Sequence, residues 1–414
     1  MLRGLVIWDK SQSANSINNP RNMQSISRFQ QFLKLLPRGA FNKAVERYDA
    51  DRYCKSFDSW RHLVAMVYAQ VSKSTSLRDI ATGFNAQSNH HYHLGAGRLT
   101  HSTLGDANKR RDWRVFGDTA RSLMTMLKPK VRKEYSDLLF LIDSTTVSLK
   151  GRGFDEWAAP TKVRSTQGLK LHMMYESASA APWWQSVTAT NVNDLTAALP
   201  APIERGATYV FDKGYYDFNW WHDINAEGAR FVTRFKMNVK LEVVAERKID
   251  ASDESVILKD QVVRMTNRRP GGGRYNRYVE PLRRIEVHRP GDTPLVFASN
   301  DLDAPAAEIA ALYKERWAVE LFFKWIKQNL NIKKFCSRTE NAVRIQVMTA
   351  LITYLLLVLE QVGKQAESSL RTRLNELNAT LFERVGLRER TAESRRRRAE
   401  LRVFKAGQMD LALV

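Results

Sequence analysis

Leu138–Leu149, LLFLIDSTTVSL, is aliphatic or β-branched almost throughout and carries one carboxylate, Asp143. A run of this length and composition predicts a strand buried on both faces. Working outward, Leu169–Tyr175, Thr208–Phe211 and Phe231–Phe235 read as further strands, and helical patterns lie between and after them, notably over Ala306–Leu330. That alternation predicts an α/β domain over 129–365 whose central strands are covered on both faces. Within it, residues 238–295 break the alternation. Leu241–Ala245, Val256–Met265 and Leu282–Val287 are strand-like, and Arg269–Arg274 (RPGGGR) is a turn-rich basic tip, so this stretch reads as an antiparallel, β-rich insertion.

Upstream, residues 28–128 are mainly helical and form a small all-α domain. Phe29, Phe32, Leu33, Leu35 and Leu36 supply an apolar face before Pro37. Trp60–Val71 is a second helix, Ser76–Phe84 a third with Ser76 as its N-cap, and Ser102–Leu127 a further helical stretch after a His-rich link. Scattered Arg and Lys make this a DNA-binding head or a generic packing module. Residues 1–27, rich in Ser, Asn and Gln, read as a disordered extension in which Met23 is a second candidate start. Residues 366–414 read as a charged helical tail with its arginine run, Ser394–Arg398, on a solvated face.

Composition narrows the function. With 65 Lys+Arg against 44 Asp+Glu the chain carries a formal +21 across 414 residues, which favours polyanionic partners, nucleic acid before membrane surfaces. Cys54 and Cys336 stand far apart, so neither a zinc site nor a disulfide framework is expected, and a reducing cytoplasm suits the chain. No apolar signal region opens it, and its most apolar run, Val347–Leu359, is shorter than the ~20 residues of a spanning helix; it reads as a buried helix, with no membrane partner.

Asp143 sits mid-strand, and Asp212 ends an apolar strand just before Lys213-Gly214-Tyr215. A carboxylate there is expensive to desolvate unless paired or metal-bound, and ligands bind beyond the carboxyl ends of strands in open α/β sheets. Either Asp alone reads better as a cap of a helix or turn; two together in a basic chain tilt the balance toward a site. The third feature is the helical segment Leu312–Leu330, LYKERWAVELFFKWIKQNL. On one continuous helix, Tyr313, Arg316, Glu320 and Lys327 fall within roughly 60° of arc, and the rest of the circumference is mostly apolar. Such a helix is expected to be largely buried with its charged stripe facing a cleft. The alternative is an i,i+4 ion pair between Arg316 and Glu320. Three carboxylates within about 5 Å repel by roughly 3 kcal/mol per pair at an effective dielectric near 20, and divalent cations remove that repulsion. An all-oxygen donor set suits Mg2+, with Mn2+ as a substitute, and the chemistry implied is in-line phosphoryl transfer.

Tyr313-x2-Arg316-x3-Glu320-x6-Lys327 resembles the YREK motif of DDE transposases of insertion sequence family four. Asp143-Ser-Thr-Thr, Asp212-Lys-Gly-Tyr and Phe231-Val-Thr-Arg-Phe-Lys resemble the flanking segments of the same family, in the same order, over most of residues 28–360. The resemblance implies an RNase H-like catalytic domain with a β-rich insertion, and cut-and-paste transposition through a hairpin intermediate. It makes Asp143, Asp212 and Glu320 the catalytic metal ligands. Tyr313, Arg316 and Lys327, with Arg234 and Lys236, would hold transposon-end DNA beside a flipped base, for which Tyr275 and Tyr278 are candidates by location. Inverted-repeat ends and target DNA are the implied partners, a homodimer in the DNA complex the implied assembly, and the nucleoid the implied place of work. Two rivals remain: a metal-dependent nuclease on the same fold, and a non-catalytic DNA-binding derivative.

Other signals read as structural. His90, His91 and His93 suit a solvated loop better than a metal site. Trp183-Trp184 and Trp220-Trp221 suit packing better than base stacking. Gly271–Gly273 is a turn, since no Lys-Ser/Thr pair follows it. Lys170 and His172 share a strand near the predicted site, with no pattern to say which way they point.

Overall fold

The computed structural model describes residues 26–131, 138–149, 153–154, 157–158, 167–250, 253, 256–267, 269, 275–364 and 368–385. Seven helices come first: α1 (Arg28–Leu33), α2 (Arg38–Arg47), α3 (Ser59–Val71), α4 (Leu77–Asn85), α5 (His91–Leu94), α6 (His101–Arg110) and α7 (Arg114–Val131). Side-chain caps set several of their starts. Ser27, Asp58, Ser76 and Thr100 each accept a backbone N–H from the first turn that follows.

Two local expectations change here. The Ser102–Leu127 stretch is two helices, because Arg111 leaves helical geometry (ψ 128) and buries its guanidinium against the Phe57 and Ala50 carbonyls. The His-rich link is not a solvated loop. It is a short helix in which His91 is 5% exposed, stacks on Phe84 and hydrogen-bonds its carbonyl, and which ends at Gly95 with φ +62, the left-handed geometry glycine tolerates.

Among the described residues, nine strands follow in one sheet: β1 (Leu139–Ser148), β2 (Gly168–Glu176), β3 (Ala181–Ala189), β4 (Thr208–Phe211), β5 (Arg230–Arg234), β6 (Leu241–Glu246), β7 (Ile257–Met265), β8 (Leu282–Val287) and β9 (Leu295–Ser299). Their order is β3-β2-β1-β4-β5-β9-β8-β7-β6. β1, β4 and β5 run parallel, β2 and β3 pair antiparallel on one side, and β9 to β6 extend the other side antiparallel. The β-rich stretch therefore enlarges the central sheet through β9 on β5. The basic tip at 270–274 lies outside the described residues.

Alternation along the strands builds two layers. Phe140, Ile142, Tyr209, Phe211 and Phe231 face an aromatic layer with Trp220 and Trp221 of α9 (Phe218–Ala226), beside the short α8 (Asp194–Ala198). Leu141, Leu171, Met173, Val210 and Val232 face the opposite layer. That layer holds α10 (Ala306–Glu315), α11 (Trp317–Asn329) and α12 (Glu340–Lys364). The same core continues into α3 and α7, which pack on α12, so the N-terminal helices and the sheet are covered by one layer. α12 is long and apolar enough to cross a membrane, but 94% of its apolar window is buried in the protein, as in a core helix.

Both ends of the described chain meet. Ser27 is buried and pairs with Arg384, while Leu374 and Leu377 of α13 (Leu370–Ala379), with Leu381 and Val385, are buried too. Residues 370–385 are thus packed structure rather than free tail, and Ser27 belongs to the fold. Residues 1–25 and the arginine run at 394–398 lie outside the described residues.

One buried group makes stability depend on pH. His62 of α3 is fully buried and hydrogen-bonds the Asn108 side chain at 2.8 Å. Burial, then the Arg111 charge, push its imidazole from its ordinary 6.5 down to about 3. A depressed folded value means the neutral form stabilises the fold fully above about 6.5, and this contribution is lost as pH falls toward 3. Urea unfolding of wild type and His62→Gln between pH 7 and 4 should show a shallower acid limb in the variant; parallel limbs would contradict the assignment.

Candidate active site

Ile142 of β1 and Phe211 of β4 are register partners on adjacent parallel strands. The next residue on each is an acid, so Asp143, midway along β1, and Asp212, just past the end of β4, follow the last paired residues of the two strands. Because Ile142 and Phe211 face the aromatic layer, both acids face the opposite side, where α10 and α11 lie. After Asp212 the chain leaves the strand at once into a 3-10 turn, Lys213–Tyr215.

The helix expected over Leu312–Leu330 is interrupted. At Arg316 the backbone N–H bonds the Tyr313 carbonyl, a tightened turn that ends α10 and starts α11. The stripe survives this break, since Arg316 keeps right-handed helical angles. Burial is less complete than expected, for Trp317 is 58% and Leu321 51% exposed. They sit one turn apart on a side of α11 that the sheet does not reach.

The contacts join most of the predicted residues into one network. Arg316 donates to Asp143 Oδ2 at 3.4 Å and to Glu320 Oε1 at 2.6 Å, so both the cleft contact and the intrahelical pair are present. The Tyr313 hydroxyl donates to Asp212 Oδ1 at 3.2 Å, and Arg234 Nη2 donates to the same oxygen at 2.7 Å. The Arg234 and Arg316 guanidinium groups both lie over the Tyr313 ring. Lys327 lines a cavity of about 430 Å3 together with Asp143 and Glu320. Lys236 stands apart from this network, its ammonium 4.6 Å over the Tyr216 ring. Of the candidate base partners, Tyr278 is buried and Tyr275 is 59% exposed.

Burial, first, pushes the Asp143 carboxyl up to about 6, and the neighbouring Glu320 and Asp212 charges add to the rise against the Ser144 N–H and Arg316. Asp212 goes the other way: burial raises it, but the Arg234 hydrogen bond, the Lys213 N–H and two guanidinium charges outweigh that and hold it below the usual range. Lys327 is lowered by burial and by nearby Lys333. Burial at Asp143 and fixed cations at Asp212 thus drive the two carboxyls apart in proton affinity.

Among the described residues, no three His, Cys, Asp or Glu side chains stand close enough to hold one ion. The acids meet instead through cations of the chain itself, Arg316 between Asp143 and Glu320, and Arg234 on Asp212. A divalent cation shared by Asp143 and Glu320 must therefore draw Arg316 off at least one of them. The donor chemistry fits such an ion: all oxygen, no thiolate or imidazole, in a polar cavity open to solvent.

Sequence reading missed several cavity residues. Lys324, Gln328 and Lys333 line the wall beside Glu320, and Lys333, Lys334 and Arg338 continue into an adjoining cavity of about 600 Å3. The i,i+3 spacing of Lys324 and Lys327, followed by Lys333-Lys334 just past the end of α11, was the available signal. Trp220 and Trp221 are core residues, as expected, and Trp183 packs on Phe140.

The comparisons with known proteins give the class. Residues 134–356 match the transposase DDE domain, so the chain belongs to the DDE transposase family: it is a DNA transposase, an enzyme of DNA cleavage and strand transfer that uses divalent metal. Residues 24–97 match a domain of unknown function, DUF4372.

Relatives agree. The chain is 40% identical over 257 residues, 61% of its length and 69% of the relative's, to "Putative transposase y4zB" of Sinorhizobium fredii. It is 26% identical over 292 residues (69% and 78%) to "Putative transposase for insertion sequence element IS4SA" of Synechocystis. It is 25% identical over 326 residues (74% and 82%) to "Probable transposase for insertion sequence element IS5377" of Geobacillus stearothermophilus. Among solved structures, one similar chain is the piggyBac transposase in a synaptic complex with hairpin DNA, at TM-score 0.45 and 10% identity, covering 85% of this chain and 77% of that one.

Proposed function

We propose that Asp143, Asp212 and Glu320 are the catalytic acids and hold Mg2+, or Mn2+ in its place, during cutting and joining of transposon ends. The observation that carries this reading is the register of β1 and β4, which sets Asp143 and Asp212 beside each other under the helix that bears Glu320. The order of the central strands, with β1, β4 and β5 parallel and β2 and β3 antiparallel beside them, supports an RNase H-like catalytic core over 129–365 with the insertion at 238–295. The YREK spacing supports membership of insertion sequence family four and, with it, cut-and-paste through a hairpin.

In this reading the chain's own groups do most of the positioning. Two bound cations would activate the attacking water or 3′-hydroxyl and stabilise the leaving oxygen. Arg316 passes from Asp143 to a DNA phosphate, exchanging one oxyanion for another. Arg234 favours the charged form of Asp212, and Tyr313 helps to aim it. Lys327, with Lys324 and Lys333, has no carboxylate partner among the described residues that the structure shows, and these ammonium groups would neutralise the phosphates on either side of the cut. Lys236, and the helices of 28–128 with their basic surface, are the further DNA contacts we propose. Pairing two ends calls for at least a homodimer in the DNA complex, and the nucleoid of the cytoplasm is where such a protein meets its substrate.

The test is incubation of the full chain with DNA carrying the inverted repeats that flank its gene, in Mg2+. Cleavage at the ends and joining to a target are expected. Hydrolysis without joining would replace the reading with a nuclease, and salt-dependent binding without metal-dependent cutting would replace it with a DNA-binding derivative.

A further inference from the structure

We infer that Asp194 is a positioning residue that holds the diverging ends of β1 and β4 together behind the acids; this rests on the reading of Asp143 and Asp212 as metal ligands. The pairing of β1 with β4 covers Leu139–Ile142 and stops. From Asp143 onward β1 has only β2 beside it, while the chain after Asp212 turns away, so the two acids stand at the point where their strands part. Twisted strands separate further with each unpaired residue, and a tie is needed to fix the acids' spacing.

Asp194 provides that tie from the other face of the sheet. Ser144, the residue after Asp143, donates its hydroxyl to Asp194 Oδ1 at 2.8 Å. Lys170 Nζ donates to the same oxygen at 3.2 Å, and His172 Nδ1 lies 3.6 Å from it. Lys170 and His172 are the register partners of Thr146 and Ser144, so all four point away from Asp143, and their direction is settled toward Asp194. On the β4 side, buried Tyr215 ends the turn after Asp212, and its hydroxyl makes no hydrogen bond among the described residues, with Ser144 and the Asp194 charge nearby. The same turn packs on α8. The Asp194 carboxylate thus joins β1 and β2, and the helix that carries it packs on the turn after β4.

A helix-start role does not account for it. Asn193 caps α8 by accepting the Leu195 N–H, so the Asp194 carboxylate is spare for the strands. Partners behind metal ligands typically change metal affinity or activity 10–100-fold when removed, and a shift of about 1 Å at a reacting centre has effects of similar size.

The experiment uses the full chain and three readouts: Mn2+ affinity by calorimetry, single-turnover cleavage of end DNA, and binding of that DNA with melting temperature as a control. Asp194→Ala is expected to weaken Mn2+ binding and slow cleavage by about 10–100-fold, with DNA affinity unchanged. Asp194→Asn, which keeps the acceptor for Ser144, should recover part of both. Ser144→Ala should reproduce most of the loss, and it decides the matter if Asp194→Ala fails to fold. Wild-type Mn2+ affinity and cleavage in Ser144→Ala and in folded Asp194→Ala, while Asp143→Asn is inactive, would overturn the inference alone. Unchanged Mn2+ affinity in Asp143→Asn would overturn the reading of the acids, and this inference with it.

Discussion

Asp143→Asn, Asp212→Asn and Glu320→Gln should each slow cleavage of transposon ends by about a thousandfold or more, some 4 kcal/mol of barrier, in Mg2+. Each swap preserves volume and removes one negative oxygen donor, so the fold should persist. DNA-end binding should persist or tighten. Asp143 and Glu320 share Arg316, and neutralising either leaves that guanidinium freer for a phosphate. A combined loss of cutting and binding would instead point to misfolding. Cutting rates measured beside end binding by gel shift separate the two, and wild-type cutting in any one variant would remove that residue from the set.

The second large effect lies in the β-rich stretch. Asp260 of β7 and Arg283 of β8 form a bidentate pair, with Nε to Oδ1 at 2.6 Å and Nη2 to Oδ2 at 2.5 Å, and both side chains are almost wholly buried. Arg283 also donates to the Ala304 carbonyl, and Arg247 to that of Leu302, so the pair grips the segment that launches α10 and its Tyr313. Asp260→Ala strands the Arg283 charge in the core and should destabilise the fold by about 3–5 kcal/mol. Replacing both partners with apolar residues of similar volume, Asp260→Leu with Arg283→Met, should recover most of that. The check is urea unfolding of the three proteins; a single variant as stable as wild type would mean that the pair is not the clamp its geometry describes.

Much of this was legible in the residues, for identifiable reasons. Continuous β-branched runs marked β1 and β4 because both faces of a central strand are apolar, and the three insertion strands emerged within a residue or two of their ends. β3 and β9 escaped. β3 holds Pro182, Gln185 and Ser186 and lies at the sheet edge, where one side has no neighbour to demand a hydrogen-bonding or apolar pattern. β9 is five residues long, too short for alternation to register.

The charged stripe was readable because 3.6-residue periodicity is local. Its interruption at Arg316 was not, since that break comes with a side chain recruited by Asp143, 173 residues away. Asp194 was invisible for the same reason. Nothing in the stretch Asn191-Val-Asn-Asp singles it out, and only the folded sheet brings Ser144, Lys170 and His172 to it. Local patterns gave candidates for the site, and register assembled them. Arg316 shows why the acids alone were an incomplete description: the i,i+4 pair with Glu320 was readable from spacing, but its reach to Asp143 was not.

The most direct test of the shared role of the three acids is a crystal of the protein with end DNA, grown in Mn2+ and measured at the manganese edge. Anomalous peaks bounded by Asp143, Asp212 and Glu320 carboxylate oxygens, with Arg316 turned from Asp143 to a phosphate, are the predicted result. Peaks elsewhere, or none, with Arg316 still joining Asp143 to Glu320 in a complex that cuts DNA, would contradict it.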